Sequence, residues 1–378
     1  MSVSPHPGPL PPGATIGILG GGQLGRMSAL AAAALGYRVH VFAPEDDSPG
    51  MQVAAARTVA PYGDAAALAA FAAAVDVVTF EFENVPAATL DILAPLIPCR
   101  PGVAALRIGQ DRVAEKRFFE SAGIPVGPWR EIISRDSLHA AIAELGLPAV
   151  LKTTRLGYDG RGQAVLRDAG DADAAFDRLA PHPLILEAFI PFAKEVSAIA
   201  ARGADGQVVT FDAVENRHAH HILDLSFAPA LVPAPVAAAA RAHVAALASA
   251  LDLVGILALE MFLLPDGTLL ANEMAPRPHN SGHWTMDACA HGQFELHMRA
   301  VAGLPLPDPG RHHDAVMKNL VGPDSFAAWP ALAAMPEVAL HLYGKAEARP
   351  GRKLGHANRL LPLGTLAEAR NPADLSPL

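Results

Sequence analysis

Glu260 and Glu273 are the residues whose setting most demands a chemical explanation. They lie in the run ILALEMFLLPDGTLLANEMAPRPHNSGHW, from Ile256 to Trp284, where two apolar segments flank Pro265-Asp266-Gly267-Thr268. An Asp-Gly pair between apolar runs is a strong short-range hairpin signal. With Asp266 and Gly267 as the loop, Pro265 faces Thr268, and the same register sets Glu260 opposite Glu273. Two carboxylates on one face of otherwise greasy strands repel each other, and each is costly to desolvate. A cation between them relieves both costs. Mg²⁺, which binds nucleotide phosphates through one or two carboxylates, is the natural candidate.

A second cluster lies upstream. The apolar strand Pro148 to Lys152 closes on a lysine, and Thr153-Thr154-Arg155-Leu156-Gly157-Tyr158-Asp159-Gly160-Arg161-Gly162-Gln163 follows. Gly157, Gly160 and Gly162 together exclude a stable helix or strand interior. A flap whose backbone N–H groups shut over phosphates beside a strand-borne lysine fits this pattern. It is not a Walker loop, because GxxxxGK[ST] is absent. A flexible hairpin accounts for the glycines but leaves Lys152 unexplained. Glu187, in the strand Leu184 to Ile190, and Glu195, just before Val196 to Ala200, read either as contacts for an adenine and a ribose or as satisfied strand-end charges.

Stepping towards the N-terminus, Thr15 to Leu19 is a short apolar strand followed by Gly20-Gly21-Gly22-Gln23-Leu24-Gly25. Leu24, Met27, Ala31, Ala34 and Leu35 then share one helical face, and Tyr37 to Phe42 forms the next strand. This βαβ start satisfies GxGxxG, and Glu45 and Asp46 sit where a dinucleotide fold places its ribose-binding acid. The motif alone is weak, so a dinucleotide turn and a turn packing strand on helix or holding another phosphate both stay open. Val75 to Phe80 is a third buried strand. Glu81 and Glu83 follow it at the C-terminal end, where open parallel sheets place ligands. Arg112, on the charged helix Asp111 to Ala122, reads as a phosphate contact or a solvated side chain. The basic segment Leu340 to His356, with Lys345 and Arg352, reads as a phosphate grip or a solvated turn. His218, His220, His221, His312 and His313 lack the partner spacing of a metal site.

The rest of the composition narrows the classes. At 378 residues the chain is long enough for two or three domains, and 51% apolar content allows a large core. The net charge of -9 disfavours a nucleic-acid binder. Cys99 and Cys289 fit neither zinc nor a disulfide framework, so a reducing cytoplasm is expected. No apolar run reaches membrane length without charge or proline, and the Pro-rich residues 1–14 read as a disordered tail.

Taken together, Lys152, the Gly157 to Gln163 flap, Glu187, Glu195 and the Glu260/Asn272-Glu273 hairpin resemble the ATP-grasp superfamily. Within it, GGGQLGRM, EFENVP, GYDGRGQ, ENRH, NEMAPRPHNSGHWT and RPGRKLGH closely resemble the 5-(carboxyamino)imidazole ribonucleotide synthases of purine biosynthesis. The resemblance implies an α/β chain. A Rossmann-like pre-ATP-grasp domain with a parallel sheet would span 15–110, and an ATP-grasp domain 111–310, with a flap subdomain at about 115–190. A small β-rich domain would follow over 311–378.

The resemblance also implies a reaction: ATP-dependent carboxylation of aminoimidazole ribonucleotide by bicarbonate, through carboxyphosphate. Arg112, Lys152, Gly157, Tyr158, Asp159, Gly160, Arg161, Gly162, Gln163, Glu187, Ala188, Phe189, Ile190, Glu195, His218, Asn272 and Glu273 would bind ATP. Glu260 and Glu273 would hold Mg²⁺, with Mn²⁺ as a substitute. Arg277, His279, Asn280 and Ser281 would line the reaction centre, with Arg277 and Lys152 catalytic. Gln23, Glu81, Glu83, Lys345 and Arg352 would contact the ribonucleotide. A homodimer without nucleic-acid or membrane partners completes the expectation. After Glu215-Asn216-Arg217-His218 this family usually continues with Asp-Gly, whereas this chain has His220-His221. An NAD-dependent dehydrogenase and a non-catalytic nucleotide-binding module are the competing readings.

Overall fold

The computed structural model describes residues 8–155 and 162–369. Three sheets carry the chain. The first is parallel and comprises β1 (Thr15–Leu19), β2 (Arg38–Ala43), β3 (Ala56–Val59) and β4 (Val77–Phe80), in the order β3-β2-β1-β4. β1 and β4 are almost wholly buried, as expected of parallel strands covered on both faces. The helix Gln23–Ala34 leaves the glycine turn directly and packs on the helix Gln293–Ala302.

Residues 8–14 fall within the stretch read as a disordered tail, but they are docked. Leu10 is buried among Met298 and Val301, its N–H donates to Ala302 O at 2.8 Å, and its carbonyl accepts from the Tyr37 hydroxyl at 3.0 Å. A single apolar residue among prolines is enough to anchor the segment on a ready-made groove.

The second sheet comprises β5 (Trp129–Ile132), β6 (Ala149–Thr153), β7 (Gln163–Leu166) and β8 (Leu184–Ala188), antiparallel in the order β5-β8-β6-β7. Helices Arg135–Leu145 and Asp171–Leu179 cover it, burying Leu138, Ile142, Ala175 and Leu179 against Leu151, Leu166 and Leu186.

Nine strands form the third sheet: β9 (Lys194–Arg202), β10 (Val208–Thr210), β11 (Val214–Ala219), β12 (Ile222–Ala228), β13 (Gly255–Leu263), β14 (Leu269–Ala275), β15 (His313–Val321), β16 (Val338–Leu342) and β17 (Lys353–Pro362). Their order is β14-β13-β9-β11-β12-β15-β17-β16, with β10 paired to β9, so the C-terminal strands extend the sheet that carries the carboxylate hairpin. The Ala-rich helix Ala234–Ala250 buries Val244, Leu247 and Ala248 against one face. The helix Arg112–Ser121 contributes Phe119 to that same core, so it packs with this sheet.

The β13–β14 hairpin departs from the expected register near its turn. Leu264 N donates to Thr268 O at 2.9 Å and Gly267 N to Leu264 O at 3.0 Å, so the loop holds Pro265, Asp266 and Gly267. Gly267 sits at φ +91, which glycine adopts without steric cost, and Asp266 Oδ1 accepts from Thr268 N at 2.9 Å. The extra loop residue shifts the ladder by one, pairing Leu263 with Leu269 and Met261 with Ala271. A bulge then leaves Asn272 without a cross-strand partner, and Glu260 pairs with Glu273 after all.

Candidate active site

The bulge is held from outside the hairpin. Lys116 Nζ donates to Asn272 O at 2.8 Å, and the buried Glu115 accepts from Met274 N at 2.7 Å. Asp111 caps their helix by accepting from Val113 N and Ala114 N at 3.0 and 3.1 Å. Glu115 and Lys116 escaped the sequence reading because a charged helix ordinarily signals a wet face. Their burial, with 4% and 3% of their surface exposed, shows a structural grip on the bulge.

Glu260 and Glu273 line one cleft together with Glu83, Asn84, Gln110, Arg112, Thr154, Arg277 and His279. Burial and the neighbouring Glu273 push the Glu260 carboxyl up to about 8. Arg277 is largely buried, and its Nε is paired with Glu83 Oε2. Burial opposes its charge, but Glu83, Glu273 and Glu81 outweigh that and hold its pKa above the ordinary arginine value. Burial likewise works on Glu83, yet Arg277 brings its carboxyl below the usual range. His279 presents Nε2 at 3.3 Å from Glu260 Oε1. Both polar atoms of the Asn280 side chain are buried without a protein partner, an arrangement that costs free energy unless a ligand or water completes it.

Lys152, on β6, reaches Glu187 on neighbouring β8, with Nζ 2.8 Å from Oε2. Arg112 Nη1 donates to Thr153 O at 2.9 Å, tying the capped helix to the end of β6. Glu195 Oε2 lies 2.6 Å from His218 Nδ1, which lifts the imidazole above its ordinary value although burial works the other way. Gly162 immediately precedes β7 and Gln163 begins it, whereas Gly157, Tyr158, Asp159, Gly160 and Arg161 lie outside the described residues. Ala188 ends β8, and Phe189 and Ile190 follow in the link to β9.

A second cleft is lined by Gly21, Gly22, Gln23, Glu45, Asp47, Ser48, Tyr62, Glu81, Lys345, Arg349 and Arg352. Here the glycine turn already holds an anion. Glu81 accepts from Gly22 N and, at 2.6 Å, from Gly25 N. Its carboxylate thus takes the place a dinucleotide pyrophosphate would need at the helix N-terminus, which argues against the dehydrogenase reading. Burial disfavours the charged amine of Lys345 and pushes its pKa down to about 8, with Arg352, Lys353 and Arg349 adding to the depression. Glu81 and Glu83, two positions apart after β4, therefore face different clefts.

The turn that carries Lys345 is pinned from the N-terminal domain. Gln52 Nε2 donates to Gly344 O at 2.9 Å, and Arg26 Nη1 donates to Gln52 Oε1 at 3.0 Å and to Pro49 O at 3.2 Å. Gly344 has φ +71, and a Cβ there would stand 2.5 Å from Gln52 Oε1. Lys353, at the start of β17, acts electrostatically on Glu83, Glu260, His279 and Lys345. It was missed because it reads as one more charge in a basic turn. The β11–β12 turn also departs from the family pattern: His220 and His221 have φ 51 and 64, both left-handed.

Comparison with known proteins agrees with this geometry. Family models match in series: a ribonucleotide synthetase preATP-grasp domain over 13–110, an ATP-grasp domain over 117–294 and a phosphoribosylaminoimidazole carboxylase C-terminal domain over 315–369. The N5-carboxyaminoimidazole ribonucleotide synthase of Brucella melitensis is 52% identical over 93% of this chain and 98% of its own length. The Bacillus subtilis protein of the same name is 43% identical over 91% of each. A crystal structure of an N5-carboxyaminoimidazole ribonucleotide synthetase with ADP superposes with TM-score 0.90 at 44% identity, covering 94% of both chains. The Aspergillus clavatus enzyme, solved with ADP and 5-aminoimidazole ribonucleotide, gives 0.88 at 31% identity, covering 95% of this chain and 96% of that one. With a preATP-grasp sheet, an ATP-grasp carboxylate hairpin and the matching C-terminal domain in one chain, the protein belongs to the N5-carboxyaminoimidazole ribonucleotide synthase family.

Proposed function

We propose that this chain carboxylates 5-aminoimidazole ribonucleotide with bicarbonate at the expense of ATP, through carboxyphosphate, releasing ADP and phosphate. The observation that carries the reading is the pair Glu260 and Glu273 in one cleft with Arg277 and His279, beside the second cleft of Lys345 and Arg352. The hard oxygen donors of Glu260 and Glu273 suit Mg²⁺, and the raised Glu260 carboxyl marks a site that gains from a cation. When bound, Mg²⁺ supplies charge neutralisation for the transferred phosphoryl group.

The chain's own residues do the positioning. Lys152 contributes positive charge for the phosphates, paired with Glu187 until they arrive, and Arg112 stands at the same edge. Glu195 and His218 lie on the nucleotide side, with Ala188, Phe189 and Ile190 forming the hinge along which an adenine would lie. Gly157 to Gln163 would close over the phosphates. Arg277, kept charged by Glu83, balances negative charge on the phosphorylated carbonate. Asn280 offers its unpartnered Nδ2 donor to the same oxygens. Lys345 and Arg352 grip the ribonucleotide phosphate, while Gln23 and Glu81 meet its polar groups.

His312 and His313 have no part in this scheme. A homodimer in the cytoplasm is part of the proposal; no helix among the described residues is long and apolar enough to cross a membrane. The deciding experiment measures phosphate release from ATP with bicarbonate and Mg²⁺, with and without aminoimidazole ribonucleotide. Release that is indifferent to the ribonucleotide would refute the proposed substrate.

A further inference from the structure

A row of polar side chains crosses the third sheet. Ser226 on β12, Asn216 on β11 and Ser197 on β9 are all buried, at 0%, 4% and 0% exposure. Glu260 is directly opposite Ser197 on β13, and Glu273 opposite Glu260 on β14, so the row ends at the carboxylates proposed to hold the metal. Buried neutral polar groups are costly unless they pair, and these three pair with one another in a fixed direction.

The direction follows from which atoms can donate. Ser226 Oγ donates to Asn216 Oδ1 at 2.7 Å, and Asn216 Nδ2, which can only donate, serves Ser197 Oγ at 2.9 Å. Ser197 therefore spends its one proton on Ser281 Oγ at 2.8 Å. Ser281, in the short 3₁₀ turn Asn280–Gly282, is left to donate to His279 Nδ1 at 2.9 Å. An independent contact gives the same answer: the backbone N–H of Ser281 also points at His279 Nδ1, at 3.3 Å. Nδ1 accepts twice, so it carries no hydrogen.

We propose that the Ser226–Asn216–Ser197–Ser281 relay fixes His279 as the neutral tautomer with its hydrogen on Nε2. Because Nε2 faces Glu260 and the reaction cleft, His279 serves as a hydrogen-bond donor to a ligand oxyanion and does not act as a general base there. Gln293 holds the rest of the residue, accepting from His279 N at 2.9 Å and donating to His279 O at 2.8 Å, so the ring has little freedom to turn over. Ser197 and Asn216 are positioning residues: they touch no substrate and act only through the ring. The functional part of this proposal rests on the carboxylation reading, whereas the tautomer does not.

The test is nuclear magnetic resonance on the full chain labelled with ¹⁵N-histidine, with His279 assigned from the signals lost in His279→Asn. The expected result is an unprotonated, pyridine-type Nδ1 and a proton-bearing Nε2. A hydrogen on Nδ1, or on both nitrogens, would overturn the proposal whatever reaction the chain performs. Asn216→Asp replaces the donor by an acceptor, so the hydroxyls reverse and the ring hydrogen moves towards Nδ1. Should that buried carboxylate prevent folding, the spectrum of the unaltered chain still decides the tautomer. In folded Asn216→Asp kcat should fall about tenfold or more with the KM for ATP unchanged. An unaltered kcat with an altered tautomer would overturn the donor role and leave the carboxylation reading standing.

Discussion

Lys152 Nζ stands 2.8 Å from Glu187 Oε2, on adjacent strands of the second sheet, and Lys116 and Arg112 add their charge from the neighbouring helix. Burial alone would raise the Glu187 carboxyl, but Lys116, Lys152 and Arg112 bring it down to about 2. Its depressed value stabilises the fold above the ordinary 4.5, and that contribution is lost as pH falls through 4.5 towards about 2. Lys152→Met should therefore move the acid-unfolding midpoint to higher pH. It should also raise the KM for ATP roughly tenfold, about 1.4 kcal/mol. Circular dichroism against pH, beside initial rates, checks both; an unchanged acid midpoint would mean that Lys116 and Arg112 suffice.

Glu273→Gln keeps the size of the side chain and removes the charge opposite Glu260. Turnover should drop by at least about a hundredfold, with little loss of thermal stability, because a like-charge pair is relieved at the same time. Wild-type phosphate release by this variant would remove Glu273 from the proposed metal site.

Gln52 reaches across from the N-terminal domain to hold the turn that presents Lys345. Gln52→Ala should raise the KM for the ribonucleotide several-fold and leave that for ATP alone. Gln52→Glu should behave at least as badly, since a carboxylate cannot donate to the Gly344 carbonyl. Equal effects on both substrates would show that the contact supports the fold generally.

Lys345 is held down to about 8 by burial and by Arg352, Lys353 and Arg349. A lysine whose folded value lies below its unfolded one destabilises the folded state while it stays charged, and the penalty fades as pH rises from about 8 towards the unfolded value. Lys345→Met should thus stabilise the ligand-free protein near pH 7, by about 1 kcal/mol after allowance for the solvent that still reaches the amine. It should weaken ribonucleotide binding at the same time. In the wild type, the KM for the ribonucleotide should climb above pH 8 as the charge that meets the phosphate is lost. A flat KM from pH 7 to 9 would assign the phosphate to Arg352 and Arg349.

His220 and His221 occupy two successive left-handed positions in the β11–β12 turn, which favour Asn and Gly and cost other side chains about 1 kcal/mol each. The double change His220→Asn with His221→Gly should raise the thermal midpoint by about 2 °C or more, with catalysis unaffected. A lower midpoint would show that the imidazoles contribute contacts that outweigh the backbone cost.

Much of this was legible in the sequence because local chemistry and tertiary need coincide there. The Asp-Gly signal located the hairpin, and the strand-borne Lys152 stood out against its apolar neighbours. The glutamate pairing was anticipated through a two-residue loop, whereas the chain reaches it with a three-residue loop and a bulge at Asn272. Those two shifts cancel, and nothing local announces either. Glu115, Lys116 and Lys353 were passed over because charge on a helix or in a basic turn reads as solvent-facing. Only the long-range packing of Arg112–Ser121 on β14, and of β17 beside β15, turns them inward. Ser197, Asn216 and Ser226 carry no motif, since small polar residues in strands are unremarked until three strands align them.

The Glu81 carboxylate in the glycine turn has a consequence for selectivity. A helix N-terminus normally advertises for anions, and here the vacancy is filled from within the chain. The N–H groups of Gly22 and Gly25 are thereby spent before any ligand arrives, and the positive charge of this cleft rests with Lys345, Arg349 and Arg352. A ribonucleotide phosphate is therefore expected on the basic turn and not on the glycine turn.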